Sequence, residues 1–146
     1  MIGWRVGWVV GPASIIADTA RVSITNVVCQ TGIAMGAVAV AIESKNDGVV
    51  ESAAQLEARH DFLVEQLSEF SPIPAHGGWS LLLDVSTLGL DAATASARLL
   101  EYGKVAATGM ANWGGARTAG YLRLVYSNES LERLSDIRQR FERALG

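Results

Sequence analysis

The first twelve residues, Met1-Ile2-Gly3-Trp4-Arg5-Val6-Gly7-Trp8-Val9-Val10-Gly11-Pro12, constrain the fold more than any other segment. Residues 4–10 combine Trp, Val and Gly with little polarity, which predicts a strand apolar on both faces. Such a strand needs cover above and below it, as at the centre of an α/β sheet. Gly11-Pro12 ends it, and Pro12 suits the first turn of a helix. Ile15, Ile16, Thr19 and Val22 then recur at helical spacing, and a second helix is expected over about 31–44, the two joined near Asn26. Ala34, Gly36, Ala37 and Ala41 are small enough for close packing against another element. One strand with two helices supplies no sheet partners, and a lone strand is not stable. Residues 1–47 are therefore expected to be a remnant of a larger domain or to pack on a partner.

The remaining residues, 48–146, read as a small domain with the order α-β-α-β-β-α. Asn46-Asp47-Gly48 signals a turn and a helix start. A long helix is expected over about 48–70, with Val49, Ala53, Leu56, His60, Leu63, Leu67 and Phe70 on one stripe. Pro72 and Pro74 end it. Residues 80–85 read as a strand. Asp91 is expected to cap a helix over 92–102, with Gly103 as its stop. Residues 104–108 and 121–126 read as two further strands, joined by a glycine-rich loop through Gly109, Gly114, Gly115 and Gly120. A helix over about 128–145 closes the chain, with Leu131, Leu134, Ile137, Phe141 and Leu145 on one face. The expectation is a three-strand sheet with helices on one face, able to bury its own core.

Composition narrows the function classes. The chain is 49 % hydrophobic with a net charge of −3, so it has no broad basic field to drive nucleic-acid binding. Its longest near-apolar run, 32–42, is about half a membrane-spanning helix. No signal peptide is read at the start, and a cytoplasmic protein is the expectation. The single cysteine, Cys29, excludes an intramolecular disulfide and reads as a passive thiol. No clustering of Cys, His or carboxylates suggests a metal. His60 reads as a packed helix residue, and His76 as a weak acid–base candidate. Trp79 and Trp113 read either as pocket lining or as ordinary packing. From the residues alone, Arg5 reads as a structural arginine as readily as a ligand, and Arg123 as an edge-strand or solvent-facing side chain.

Four segments, in order, resemble the C-terminal part of class I/II (fold-type I) pyridoxal 5′-phosphate (PLP) aminotransferases. They are the opening twelve residues, Gly77-Gly78-Trp79-Ser80-Leu81-Leu82-Leu83-Asp84-Val85, the strand and turn over 105–109, and Tyr121-Leu122-Arg123-Leu124-Val125-Tyr126. The resemblance implies a fold that runs from α/β to α+β. Residues 1–47 would be what is left of the large PLP-binding domain, one strand and two helices. Residues 48–146 would be the C-terminal small domain. It implies that Arg5 holds the cofactor phosphate and Arg123 the substrate α-carboxylate. A planar guanidinium forks onto either anion. It also implies amino-acid and 2-oxo acid substrates and a homodimeric parent. The Schiff-base lysine of the family lies a few residues before the first segment, and neither Lys45 nor Lys104 matches it. No catalytic residue is assigned, and the isolated chain is expected to be inactive and to bind PLP weakly or not at all. Thr108-Gly109-Met110 departs from the family's usual Pro-Gly-Ser type turn, and the loop over 111–117 is unusual, so specificity does not carry over. Two other readings remain at this point: a non-catalytic interaction module derived from a truncated enzyme, and a PLP-dependent lyase relative, because chemistry lives in the site and not in the fold.

Overall fold

The structure is a computed structural model that describes residues 5–29 and 31–146. They divide into two compact units, with the boundary between Val49 and Val50. The first unit contains α1 (Ala13–Asn26) and, after a 3-10 turn at Gly32–Ala34, α2 (Met35–Glu43). The strand expected over 4–10 is not found: Trp4 lies outside the described residues, and residues 5–10 carry no regular structure. Arg5 even has a left-handed backbone, φ 53°. The reason is the one anticipated: the first unit holds no described strand to take this segment's backbone hydrogen bonds. The close packing expected of the small residues is also absent from most of α2. Ala34 is buried, but Gly36 and Ala37 are exposed, and nothing lies within 4 Å of a Cβ built on Gly36. Trp8, Val10, Ile24, Val28 and Ile33 are exposed, as is Cys29.

The second unit opens with α3 (Val49–Gln66) and a 3-10 turn at Ser68–Phe70. Asn46 and Asp47 start the helix through their side chains, which accept from the Gly48 and Val49 amides. Then come β1 (Pro72–Ile73), β2 (Ser80–Asp84) and α4 (Ala92–Arg98), which runs on as a π turn over Leu99–Gly103. β3 (Thr108–Gly109), β4 (Tyr121–Val125), α5 (Leu131–Leu134) and α6 (Ile137–Leu145) complete it. The sheet is fully antiparallel with order β1-β2-β4-β3. It has four strands where three were expected. Pro72 takes part because it sits on an edge strand, where a missing N–H is tolerated.

One face of the sheet is a core. Leu81 and Leu83 of β2 and Leu122 and Leu124 of β4 point into it, against Leu63 of α3, Leu67 just beyond its end, and Ile137 and Phe141 of α6. Phe70 and Phe141 meet edge to face with ring centroids 5.3 Å apart. Only the C-terminal part of the α3 stripe is buried: Leu63, Leu67 and Phe70 are covered, Leu56 and His60 half-covered, Val49 and Ala53 exposed. A helix of this length spans about 27 Å, whereas a five-residue strand spans about 17 Å, so α3 outruns the sheet.

Two expected elements are cut short or broken, each beside a local hydrogen bond. The strand over 104–108 reduces to Thr108–Gly109, because the residues before it finish the preceding helix: Lys104 takes the left-handed position (φ 55°) and the Val105 amide donates to Leu99 O. Ser96 Oγ donates to Ala107 O at 2.7 Å and occupies that carbonyl. Gly103 is thus not the left-handed stop. It is a contact glycine, since a Cβ there would lie 2.8 Å from the carbonyl oxygen of Arg140 in α6. The closing helix breaks at Ser135-Asp136, where Ser135 Oγ donates to Glu132 O at 2.7 Å, and Leu131 is exposed and not on the core face.

Two outcomes are expected. Gly103→Ala should destabilise the second unit by about 1–3 kcal/mol through overpacking against the α6 backbone, read by urea unfolding. Asp91 caps α4, accepting from the Thr94 amide at 2.9 Å and the Thr94 hydroxyl at 2.8 Å, and these bonds hold its pKa below the ordinary 3.8. A depressed carboxylate contributes stability that is present above its unfolded value and lost as pH falls through its folded value. The gap in melting temperature between the native chain and Asp91→Ala should therefore close as pH falls below 3.8.

Candidate functional site

Alternation along β4 places Leu122 and Leu124 in the core and sends Tyr121, Arg123 and Val125 to the opposite face. Register aligns Leu82 of β2 and Thr108 of β3 with Arg123, and Ile73 of β1 with Leu82. Arg123 is therefore a central-strand cation on the face of the sheet that the core helices do not cover. The four inward leucines hold it there. Each buried leucine contributes about 1.5–3 kcal/mol, enough to carry one badly satisfied neighbour.

Arg123 is badly satisfied. Its Nε is buried and has no hydrogen-bond partner among the described residues. Four other arginines of this unit are engaged: Arg133 with Glu129, Arg138 with Glu69 and Glu142, Arg140 with Asp136, and Arg59 with Ser127 O. The Arg123 guanidinium instead lies over the Trp113 ring, its Cζ 4.7 Å from the ring centroid. Chemically this is a half-buried cation with an edge free to donate to a planar anion.

The Trp113 loop is tied down at several points. The Met110 amide donates to Tyr121 O at 2.9 Å, the Trp113 amide to Met110 O at 2.9 Å and the Ala92 amide to Ala119 O at 3.0 Å. Thr118 Oγ1 donates to Met110 O at 2.7 Å. Gly120 is close-packed, since a Cβ there would lie 2.9 Å from Ser86 Cβ. The stacking of Trp113 on Arg123 was not read from the sequence. A tryptophan between Asn112 and Gly114, ten residues before a strand arginine, carries no periodic signal.

Arg5 lies in the first unit and is exposed. His60 is structural in its hydrogen bonding. The Ala75 amide donates to Nε2 at 3.0 Å and Nδ1 faces Asp61 Oδ1 at 2.8 Å, so the tautomer protonated on Nδ1 satisfies both. It walls a groove of about 410 Å³ with Glu57, Asp61, His76 and Tyr126. Burial, and next the Asp61 carboxylate, push the Tyr126 phenol above its ordinary 10.0, so it stays neutral there. Trp79 is exposed. Among the described residues no group of three or more His, Cys, Asp or Glu could hold a metal, and no helix is long and apolar enough to cross a membrane.

The family described as aminotransferase class I and II matches residues 1–140. The chain belongs to that family. It is 31 % identical over 151 residues to the aspartate/prephenate aminotransferase of Thermus thermophilus, a match to 100 % of this chain and 38 % of that protein. It is 30 % identical over 128 residues to the arginine–pyruvate transaminase of Pseudomonas aeruginosa, covering 85 % of this chain and 32 % of that one. The aromatic aminotransferase of Pyrococcus horikoshii superposes with a TM-score of 0.86 at 26 % identity, covering 99 % of this chain and 39 % of that chain. The fold is thus that of part of a fold-type I aminotransferase. The chain spans between 32 % and 39 % of the length of these relatives.

The unpaired buried Nε predicts that Arg123 adds no net stability to the second unit. Arg123→Met should leave the second unit as stable or raise its stability by up to about 1 kcal/mol, because an unsatisfied buried donor costs about 1–3 kcal/mol and the cation–π contact returns about 0.5–1. Urea unfolding checks this, and a loss above about 2 kcal/mol would make Arg123 a structural residue.

Proposed function

We propose that these residues are the C-terminal portion of a PLP-dependent aminotransferase and supply its carboxylate-binding arm. The reaction moves an amino group between an amino acid and a 2-oxo acid. The observation that carries the reading is the buried, unpartnered Nε of Arg123 on the uncovered sheet face. Both substrates present the same α-carboxylate while the rest of each molecule differs, so one arginine serves both halves of the exchange. A guanidinium suits the task better than an ammonium because its planar fork fixes the carboxylate in orientation as well as position.

In the whole enzyme PLP supplies the electron sink, and the protein supplies binding, orientation and a lysine. The residues present do not by themselves fit the cofactor. Lys45 is exposed in the turn before α3, and Lys104 Nζ donates to Glu101 O at 2.7 Å at the end of the α4 turn. Arg5 offers one exposed guanidinium, a contact for a phosphate and not a cradle. On this reading Arg5 adds its contact when the lysine-bearing region is also there, residues 1–47 belong to the large domain, and the parent is a cytoplasmic homodimer.

A second reading, a non-catalytic interaction module, draws on the exposed Trp8, Val10, Ile24, Val28 and Ile33 of the first unit, which need cover. Two measurements separate the readings. Residues 1–146 with added PLP, an amino acid and a 2-oxo acid should show no turnover, and turnover without another polypeptide would sink the proposed division of labour. The native species in its source cells should be about two to three times as long as this chain, the size of a domain-plus-cofactor enzyme. A native species of only these residues would favour the interaction module.

A further inference from the structure

We propose that Trp113 is a positioning residue for the carboxylate arm: it orients the Arg123 guanidinium and shields one of its faces, leaving the donor edge free for a substrate carboxylate. The inference rests on reading Arg123 as that arm.

Three observations converge on it. The guanidinium carbon lies 4.7 Å from the Trp113 ring centroid, within cation–π range. Trp113 is nevertheless 63 % exposed, so its placement is not explained by burial in the core. Its loop is closed by design: Thr118 Oγ1 bonds to Met110 O at 2.7 Å and Gly115 O at 3.2 Å. Thr118 can lie there only because position 114 lacks a side chain, since a Cβ on Gly114 would sit 2.7 Å from Thr118 Cγ2.

The chemistry of the partner matters. An indole has no acceptor for the guanidinium, so stacking consumes none of its N–H donors. A carboxylate neighbour would hold Arg123 equally well but would occupy the donors a substrate needs and cancel its charge. A free arginine also loses about 2 kcal/mol of rotamer entropy when it is fixed, and a stacked one has already lost part of it before the ligand arrives. The ring excludes water from one face, which strengthens the edge hydrogen bonds.

The test uses the full chain and pyruvate as the probe, with binding read from the carboxylate resonance of ¹³C-labelled pyruvate, and with the Arg123 Nε–H followed by ¹⁵N NMR in every chain that keeps the arginine. Arg123→Lys should abolish the pyruvate response. Trp113→Leu should weaken binding on the order of twofold to fivefold, the fold-change expected from a cation–π contact. It should also speed exchange of the Nε–H with water, while Trp113→Phe should restore most of both. Trp113 is exposed, so its substitutions leave the core intact, and melting temperatures check that every variant is folded. If Arg123→Lys abolishes binding and Trp113→Leu binds like the native chain, the positioning role is overturned and the arginine reading stands. If Arg123→Lys binds like the native chain, or the native chain takes up no pyruvate, both fall.

Discussion

The antiparallel pairing of β2 with β4, from Ser80 opposite Val125 to Asp84 opposite Tyr121, is the constraint on which the second unit depends. It commits four leucines to one face and, by the two-residue repeat of a strand, Arg123 to the other. A slip of one residue would bury the guanidinium in the core and expose Leu122 and Leu124. The core leucines thereby set the orientation of an arginine they do not touch chemically. The edges are short, with two residues each in β1 and β3, so the central pair carries most of the sheet's hydrogen bonding.

The two units are unlike in what they bury. The second has a core running from Leu63 to Leu145, drawn from α3, α4, α6 and the two central strands. In the first, Ala34 is buried while Trp8, Val10, Ile24 and Ile33 are exposed. An apolar composition without enclosure fits the proposal that this segment is one layer of a larger domain. The family match over residues 1–140, with only about two fifths or less of each relative covered, is consistent with that.

Much of the second unit was legible in the sequence. The α3 stripe, the Asp91 cap, the leucine run of β2 and the alternation in β4 are local signals, each with a physical cause within a few residues. The misreadings came where a local rule met a tertiary competitor. Gly103 carries the composition of a helix stop, yet its missing side chain is needed against the Arg140 carbonyl, and Lys104 takes the left-handed turn. The strand over 104–108 lost its first residues to helix termination and the Ala107 carbonyl to Ser96. The strand over 4–10 was read from polarity, but a strand exists only with a neighbour to bond.

The sequence by itself determined the order of the elements in 48–146 apart from β1 and the break between α5 and α6, and the position of Arg123 on a strand, because periodicity and capping act over a turn or a strand's length. It also held the family resemblance that singles out Arg5 and Arg123. Only the tertiary structure decided that Arg123 keeps an unpaired buried donor and that Trp113 lies over it. Those facts depend on a loop closing back across the sheet, and loop closure is governed by hydrogen bonds such as Thr118 to Met110, between residues whose spacing follows no repeat.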